Sequence, residues 1–365
     1  MDTATSGGND YSSLRHHKRI ALLTDGFSTP FLAKTAISLL RYRTADIVGI
    51  IDQSESGRTA QELFDIGGEL PVVAALNGLS DADSIYIGIA PPGGKLPAAW
   101  RSIVVQGIER KLDIVSGLHD FLTEDAQFCQ LATQSGSQLI DVRKNGHRNT
   151  ATGYHFGSNG VRIHSVGHDC SIGKMVTTIE IQLAMQRQGL DAKFIATGQT
   201  GIMIAGEGVP VDCVVGDFVN GSIEELVIRH EGHDFLLIEG QGSISHPAYS
   251  AVTTGLLHGC APDGLIFCYE AGRSGVKGFA DLPIPPAEDQ MQALHLMANL
   301  RHPCKFIGIA INGRNLSAEQ TATEVENAQQ RFGLPACDVY RDGAEKLVTA
   351  CIQLRAELRN TERLT

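Results

Sequence analysis

The chain has 365 residues, enough for two domains of ordinary size, and 42% hydrophobic content with 40 glycines suits a packed α/β protein with many tight turns. Its formal net charge of -11 argues against a nucleic-acid partner, because phosphate backbones reward clustered Lys and Arg. No apolar stretch approaches a membrane span, and the eight cysteines are scattered without a C-x-x-C pair, as reduced core residues of a cytoplasmic protein would be.

Residues 1–17 are polar and rich in Gly and Ser, with no signal-peptide apolar core, and read as a disordered leader ending in a solvated basic run, Arg15–Arg19. A first α/β domain is expected over 18–150. "RIALLTDG", "DIVGIIDQ" and "DSIYIGIA" are short apolar runs that end at turns, as buried parallel strands do. Helical spacing in "FLAKTAISLLRYR" and around Trp100–Lys111 separates them, and "LDIVSGLHDFL" follows. This alternation predicts a Rossmann-like parallel sheet. The first strand is followed by "TDGFSTPF" and not by G-x-G-x-x-G, so a dinucleotide site is not assigned.

Val142–Gly160 is polar and turn-rich and reads as a linker. A second α/β domain is expected over 151–365, with strands in "VRIHSVG", "DAKFIATG", "DCVVGD", "DFLLIEG", "DGLIFCYE" and "KFIGIAING". After the first of these, Gly167 and Gly173 bracket His168, Asp169, Cys170, Ser171 and Ile172, and Lys174 follows directly. This is a phosphate loop lengthened by one residue: glycines turn backbone N–H groups inward, a helix presents its positive end, and lysine adds a point charge. Met175 stands where Ser or Thr would hold magnesium, and a thioether does not ligate a hard cation; Thr177 or Thr178 could supply a hydroxyl instead.

Four further stretches gather chemistry. "FLLIEGQGSISHP" delivers Glu239 to the end of an apolar strand, placed to act as a base or hold Mg²⁺, with His246 in the same loop. A helix-capping role for Glu239 and a structural role for His246 stay open. "ATGQTGIMIAG" sets Gln199 and Thr200 between glycines after a strand, as candidates for substrate contact. Asp217, at the end of "DCVVGD", is a metal-ligand candidate or a helix N-cap. Asn312 ends "GIAIN", able to read a purine edge or to form an Asn-Gly turn.

"GHDCSIGK" with "IEGQGS" is similar to the dethiobiotin-synthetase and cobyric-acid-synthase branch of P-loop proteins, in which the strand-end Glu ligates magnesium. Six blocks, "GIAPPGGKLP", "SGLHDFL", "GHDCSIGKM", "TGQTGIMIAG", "DFVNGSIE" and "EGQGSISHPAYS", together resemble the D-glutamate N-acetyltransferase family across nearly the whole chain from Arg19. That resemblance implies a Rossmann-like N-terminal domain, a P-loop NTPase-like C-terminal domain, and acetyl transfer from acetyl-CoA to an amino-acid amine. Methionine after the loop lysine is usual in that family. The loop would then hold the diphosphate of coenzyme A, with Asn312 toward adenine and Glu239 or His246 taking the amine proton. Arg273, Lys277 and Arg314 are candidates for the substrate carboxylates. The competing expectation is an ATP- and Mg²⁺-dependent ligase in which Lys174, Glu239 and Asp217 serve the nucleotide; a nucleotide-binding sensor is a third. A homodimer or tetramer is the default for such a protein.

Overall fold

The computed structural model describes residues 11–157 and 160–362. Residues 1–10, which hold most of the expected leader, lie outside the described residues. In chain order the first elements are β1 (Ile20–Leu23), α1 (Lys34–Tyr42), β2 (Ile47–Ile51), α2 (Ala60–Phe64), β3 (Val72–Val73), β4 (Ser84–Ile87), α3 (Arg101–Glu109), β5 (Asp113–Ser116), α4 (Ala126–Ser135) and β6 (Leu139–Asp141). The strands form one parallel sheet in the order β3-β2-β1-β4-β5-β6. This is the doubly wound Rossmann-like arrangement, in which direction of travel reverses between β1 and β4. β1 and β4 are buried throughout, which is why they read as continuous apolar runs.

The dinucleotide reading stays unassigned for a physical reason. Asp52, fully buried at the end of β2, accepts hydrogen bonds from the Gly26 amide at 3.1 Å, Ser28 Oγ at 2.5 Å, and the Ser54 amide and Oγ at 2.9 and 2.7 Å. Its carboxylate is saturated by its own turns.

Residues 11–17 depart from the expected solvated leader. Ser12–Arg15 is a 3-10 turn that buries Tyr11 and Leu14, three residues apart and so on one face. His17 is also buried, with Nδ1 at 3.0 Å from Tyr86 Oη and Nε2 at 3.0 Å from Asp113. Arg15 remains exposed and pairs with Glu207 at 2.6 Å.

The second set of elements is β7 (Val161–Gly167), α5 (Lys174–Arg187), β8 (Ala192–Ile195), α6 (Gln199–Ala205), α7 (Val219–Arg229), β9 (Phe235–Ile238), α8 (Ser250–Cys260), β10 (Gly264–Glu270), the hairpin β11 (Gly275–Val276) and β12 (Phe279–Pro283), α9 (Ala287–Asn299), β13 (Lys305–Asn312), α10 (Ala318–Phe332), β14 (Ala336–Cys337) and α11 (Glu345–Glu362). Six strands form a parallel sheet in the order β14-β13-β10-β7-β9-β8. β7 lies in its middle with all seven residues buried, so the loop that follows starts from a rigid, central position. One core packs α5 and α11 against this sheet through Ile181, Met185, Leu347, Val348 and Leu354. A second, on Leu257, Phe267, Leu294 and Ile309, takes α8, α9 and α10. This is the expected P-loop-like α/β architecture.

The compact units do not follow a single cut. Among the described residues, those of 147–198 and 214–362 form one unit; 11–146 form the other, joined by Gln199–Cys213. The expected strand "DCVVGD" is absent: Val211–Cys213 and Gly216–Phe218 are 3-10 turns. Val214 is buried but Val215 is 54% exposed, so this run has no second face to bury and no reason to join a sheet. Among the described residues no helix is long and apolar enough to cross a membrane, and none of the eight cysteines is disulfide-bonded.

Candidate functional site

The loop after β7 carries the geometry its sequence calls for. Gly173 adopts φ +109°, a conformation that strains any residue with a Cβ, and it caps α5, which starts at Lys174. Ser171 also lies in left-handed space at φ 56°. The first amides of a helix have no intrahelical partner, so this turn presents donors and the positive helix end at one point. Gly240, after β9, approaches so closely that a Cβ there would lie 1.7 Å from the Ser165 carbonyl oxygen. Its amide donates to Ser165 Oγ at 2.9 Å, which locks the β9 loop beside the phosphate loop.

Lys174 is 6% exposed and folds into its own loop, with Nζ donating to the Asp169 carbonyl oxygen at 2.7 Å. Burial is the main influence on this ammonium and holds it below the ordinary lysine range. Asp169 is fully buried; it accepts the Cys170 amide at 2.7 Å, Arg273 Nη1 at 2.8 Å and the Lys277 amide at 2.8 Å. Burial pushes its carboxyl upward, but Arg273 and the two amides outweigh that and keep it below the usual carboxylate range. Lys277 Nζ donates to Ser171 Oγ at 2.5 Å. Among these groups burial lowers the Lys277 ammonium as well.

Glu270, at the buried end of β10, is the hub that sequence reasoning missed. Its carboxylate accepts Arg273 Nη2, Arg314 Nε at 3.2 Å, Arg314 Nη2 at 3.0 and 2.9 Å, and Asn315 Nδ2 at 2.9 Å. The signal was present: an acid ending the apolar run "GLIFCYE" has the same placement as Glu239 ending "FLLIE". His168 Nε2 accepts the Glu270 amide at 3.0 Å, so its proton sits on Nδ1; burial and the Arg273 charge push this histidine down to about 4. Asn312 Nδ2 donates to the Ile172 carbonyl at 3.1 Å, and its Oδ1 accepts the Arg314 amide at 3.1 Å. Asn312 therefore braces the phosphate loop.

Glu239 and His246 are both buried and both engaged. One Glu239 oxygen accepts the amides of Thr197 and Gly198 at 2.9 and 3.2 Å, the other accepts Gln241 Nε2 at 2.9 Å. His246 Nδ1 accepts the Ala248 amide at 3.1 Å, and Nε2 lies 3.1 Å from the Lys277 carbonyl, which makes it the protonated nitrogen. Gln199 Nε2 donates to Thr35 Oγ1 at 2.8 Å, and Thr200 Oγ1 lies 3.1 Å from the same hydroxyl. Both therefore belong with α1 in the N-terminal unit.

The oxygen set of a magnesium-bearing phosphate loop does not fit here. Met175 offers sulfur; Thr178 Oγ1 is engaged with the Lys174 carbonyl at 2.8 Å and Ser165 Oγ at 2.9 Å; Thr177 is buried beside Cys268. Asp217 is exposed on a turn before α7. Among the described residues, the metal-capable groupings of three are Asp169, Cys170 and His246, and His119, Asp212 and Cys213; neither includes Asp217 or Glu239.

Two family models match successive stretches of the chain. Residues 149–348 match the P-loop domain described as "Domain of unknown function (DUF1611_C)", and residues 53–145 match the Rossmann-like DUF1611_N domain. A D-glutamate N-acetyltransferase of Tritonibacter scottomollicae is 41% identical over 74% of this chain and 81% of its own length. A protein of the same description from a Pseudoalteromonas species is 39% identical over 73% and 80%. A crystal structure of a DUF1611 family protein from Anabaena variabilis superposes with a TM-score of 0.86 at 32% identity, covering 92% of this chain and 99% of that one.

Proposed function

The chain belongs to the DUF1611 family, and from that premise we propose that it is an N-acetyltransferase moving the acetyl group of acetyl-CoA to the amine of D-glutamate or a related amino acid. The observation that carries this reading is the 41% identity to a D-glutamate N-acetyltransferase along three quarters of the chain.

The phosphate-loop geometry supports a specific division of labour. Lys174, the first amides of α5 and the turned backbone at Ser171 and Gly173 hold the diphosphate of coenzyme A, which needs charge and N–H donors but no octahedral metal. An extended pantetheine arm of about a dozen bonds reaches roughly 15 Å beyond that diphosphate. Glu239 and His246, packed beside the loop, are then out of hydrogen-bond range of the thioester, where a general base has to act. In this reading they shape the anion site, Glu239 through the 197–198 turn and His246 through the 277 carbonyl. The reaction itself is attack of the neutral amine on the thioester carbonyl, loss of a proton from nitrogen, and departure of the CoA thiolate, which takes up a proton.

The test is direct. Purified protein incubated with acetyl-CoA and D-glutamate is expected to release free thiol in step with N-acetylated product, with ATP neither required nor consumed. Production of ADP or AMP with product, and no thiol from acetyl-CoA, would replace this reading with the ATP-dependent ligase.

A further inference from the structure

Four cationic side chains, Lys174, Arg273, Lys277 and Arg314, surround the phosphate loop against two carboxylates, Asp169 and Glu270. The mouth of the loop thus has a surplus of positive charge in a protein whose formal net charge is -11. The four are not equivalent. Lys174 is turned inside the loop, and Arg273, 15% exposed, bridges Asp169 and Glu270. Lys277 is bound to Ser171. Arg314 alone among the four combines a fixed position with a solvent-facing head: its side chain is 53% exposed, yet Nε and Nη2 are both held by Glu270, which is 4% exposed.

That arrangement is more than charge neutralisation. Glu270 already receives Arg273 and Asn315, so Arg314 is the second guanidinium on one carboxylate. Two of its nitrogens are pinned against a buried, rigid anchor, and no protein partner for Nη1 is seen among the described residues. A planar fork held on one edge presents the other edge in a set direction, the requirement for reading a phosphate. Arg314 lies two residues after Asn312, and the Asn312 side chain braces the loop at Ile172.

We infer that Arg314 recognises the 3′-phosphate of coenzyme A and makes the site specific for that cofactor over nucleotides that lack a ribose phosphomonoester. The inference rests on the reading that the loop holds the CoA diphosphate. ATP carries its phosphates in one line; CoA carries a second, separate phosphoryl group that branches from the ribose 3′ oxygen, away from the 5′ diphosphate. A diphosphate on Lys174 and a phosphomonoester on Arg314 account for both the buried and the outward-facing cation.

The experiment compares CoA with 3′-dephospho-CoA by calorimetry, and their acetyl forms in turnover, for wild type, Arg314→Gln and Arg314→Lys. Wild type is expected to bind CoA about ten-fold or more tightly than dephospho-CoA. Arg314→Gln should weaken CoA to the dephospho-CoA level while changing dephospho-CoA by less than about two-fold. Arg314→Lys, with the charge but without the fork, should fall between. Equal affinity of wild type for the two cofactors overturns the inference, as does an Arg314→Gln variant that weakens both alike, the pattern of a purely structural role through Glu270. If Arg314→Gln does not fold, the wild-type comparison and Arg314→Lys still decide. Thiol release from acetyl-CoA that ignores the 3′-phosphate removes only this inference; absence of thiol release removes the transferase reading beneath it.

Discussion

Replacing Lys174 with Met separates the charge from the rest of the side chain. The stem keeps its volume in a site that is 6% exposed, so no cavity opens. What is lost is Nζ, with its 2.7 Å bond to the Asp169 carbonyl and its charge. The two effects on stability oppose each other. An unpaired carbonyl costs about 1 kcal/mol, while removing an ammonium that burial already disfavours acts in the opposite direction. The melting temperature should therefore move by only a few degrees, roughly the shift expected for a change near 1 kcal/mol. Binding has no such offset: a charge-assisted contact to a diphosphate is worth about 1.5–3 kcal/mol, which is roughly ten- to one-hundred-fold in affinity. Isothermal calorimetry with CoA, alongside a thermal melt, reads both quantities. A folded Lys174→Met protein that binds CoA as tightly as wild type would refute the assignment of the diphosphate to this loop.

Three other outcomes follow from the same geometry. Glu239→Gln weakens the anchor for the Thr197 and Gly198 amides, so the KM for acetyl-CoA should rise by about ten-fold with kcat within about three-fold; a collapse of kcat at unchanged KM would return Glu239 to the general-base role. Chelation with EDTA should leave the acetyl-transfer rate unchanged, because Met175 and the engaged Thr178 hydroxyl supply no magnesium set; a metal-restorable loss of activity would contradict this. His164 and His168 are both held near 4 from an ordinary 6.5, mainly by burial. Between those values the unfolded chain binds protons that the folded chain refuses, so stability is complete above pH 6.5 and falls as pH drops toward 4, by up to ~1.4 kcal/mol per pH unit for each ring. His168→Gln keeps an acceptor for the Glu270 amide without titrating and should flatten that slope in urea unfolding at graded pH; an unaltered slope would show that His168 contributes nothing to it.

Much of this protein is written locally. Buried parallel strands have both faces covered, so "RIALL", "FLLIE", "GLIFCYE" and "KFIGIAIN" announce themselves as apolar runs, and each is a strand. The phosphate loop is legible because its function needs a contiguous segment: a strand, a turn that tolerates positive φ, a lysine and a helix. Other features depend on partners far away in sequence. "DCVVGD" has the composition of a strand, but nothing in six residues reveals that the chain from Gln199 to Cys213 packs with the N-terminal unit. Tyr11 and Leu14 look like part of a polar leader until the fold supplies the surface that buries them.

The same distinction holds for the site. Residue type and spacing determined that a glycine-bounded bend would open α5 and that an acid would follow β9; the acid ending β10 was equally present in the sequence but went unread. Only the tertiary structure decided what those acids do. Glu239 and Glu270 occupy equivalent strand ends, yet one accepts backbone amides of a neighbouring turn and the other gathers two arginines from loops 3 and 44 residues further along the chain. A carboxylate takes its role from the donors within 3 Å of it, and chain order does not encode which donors those will be.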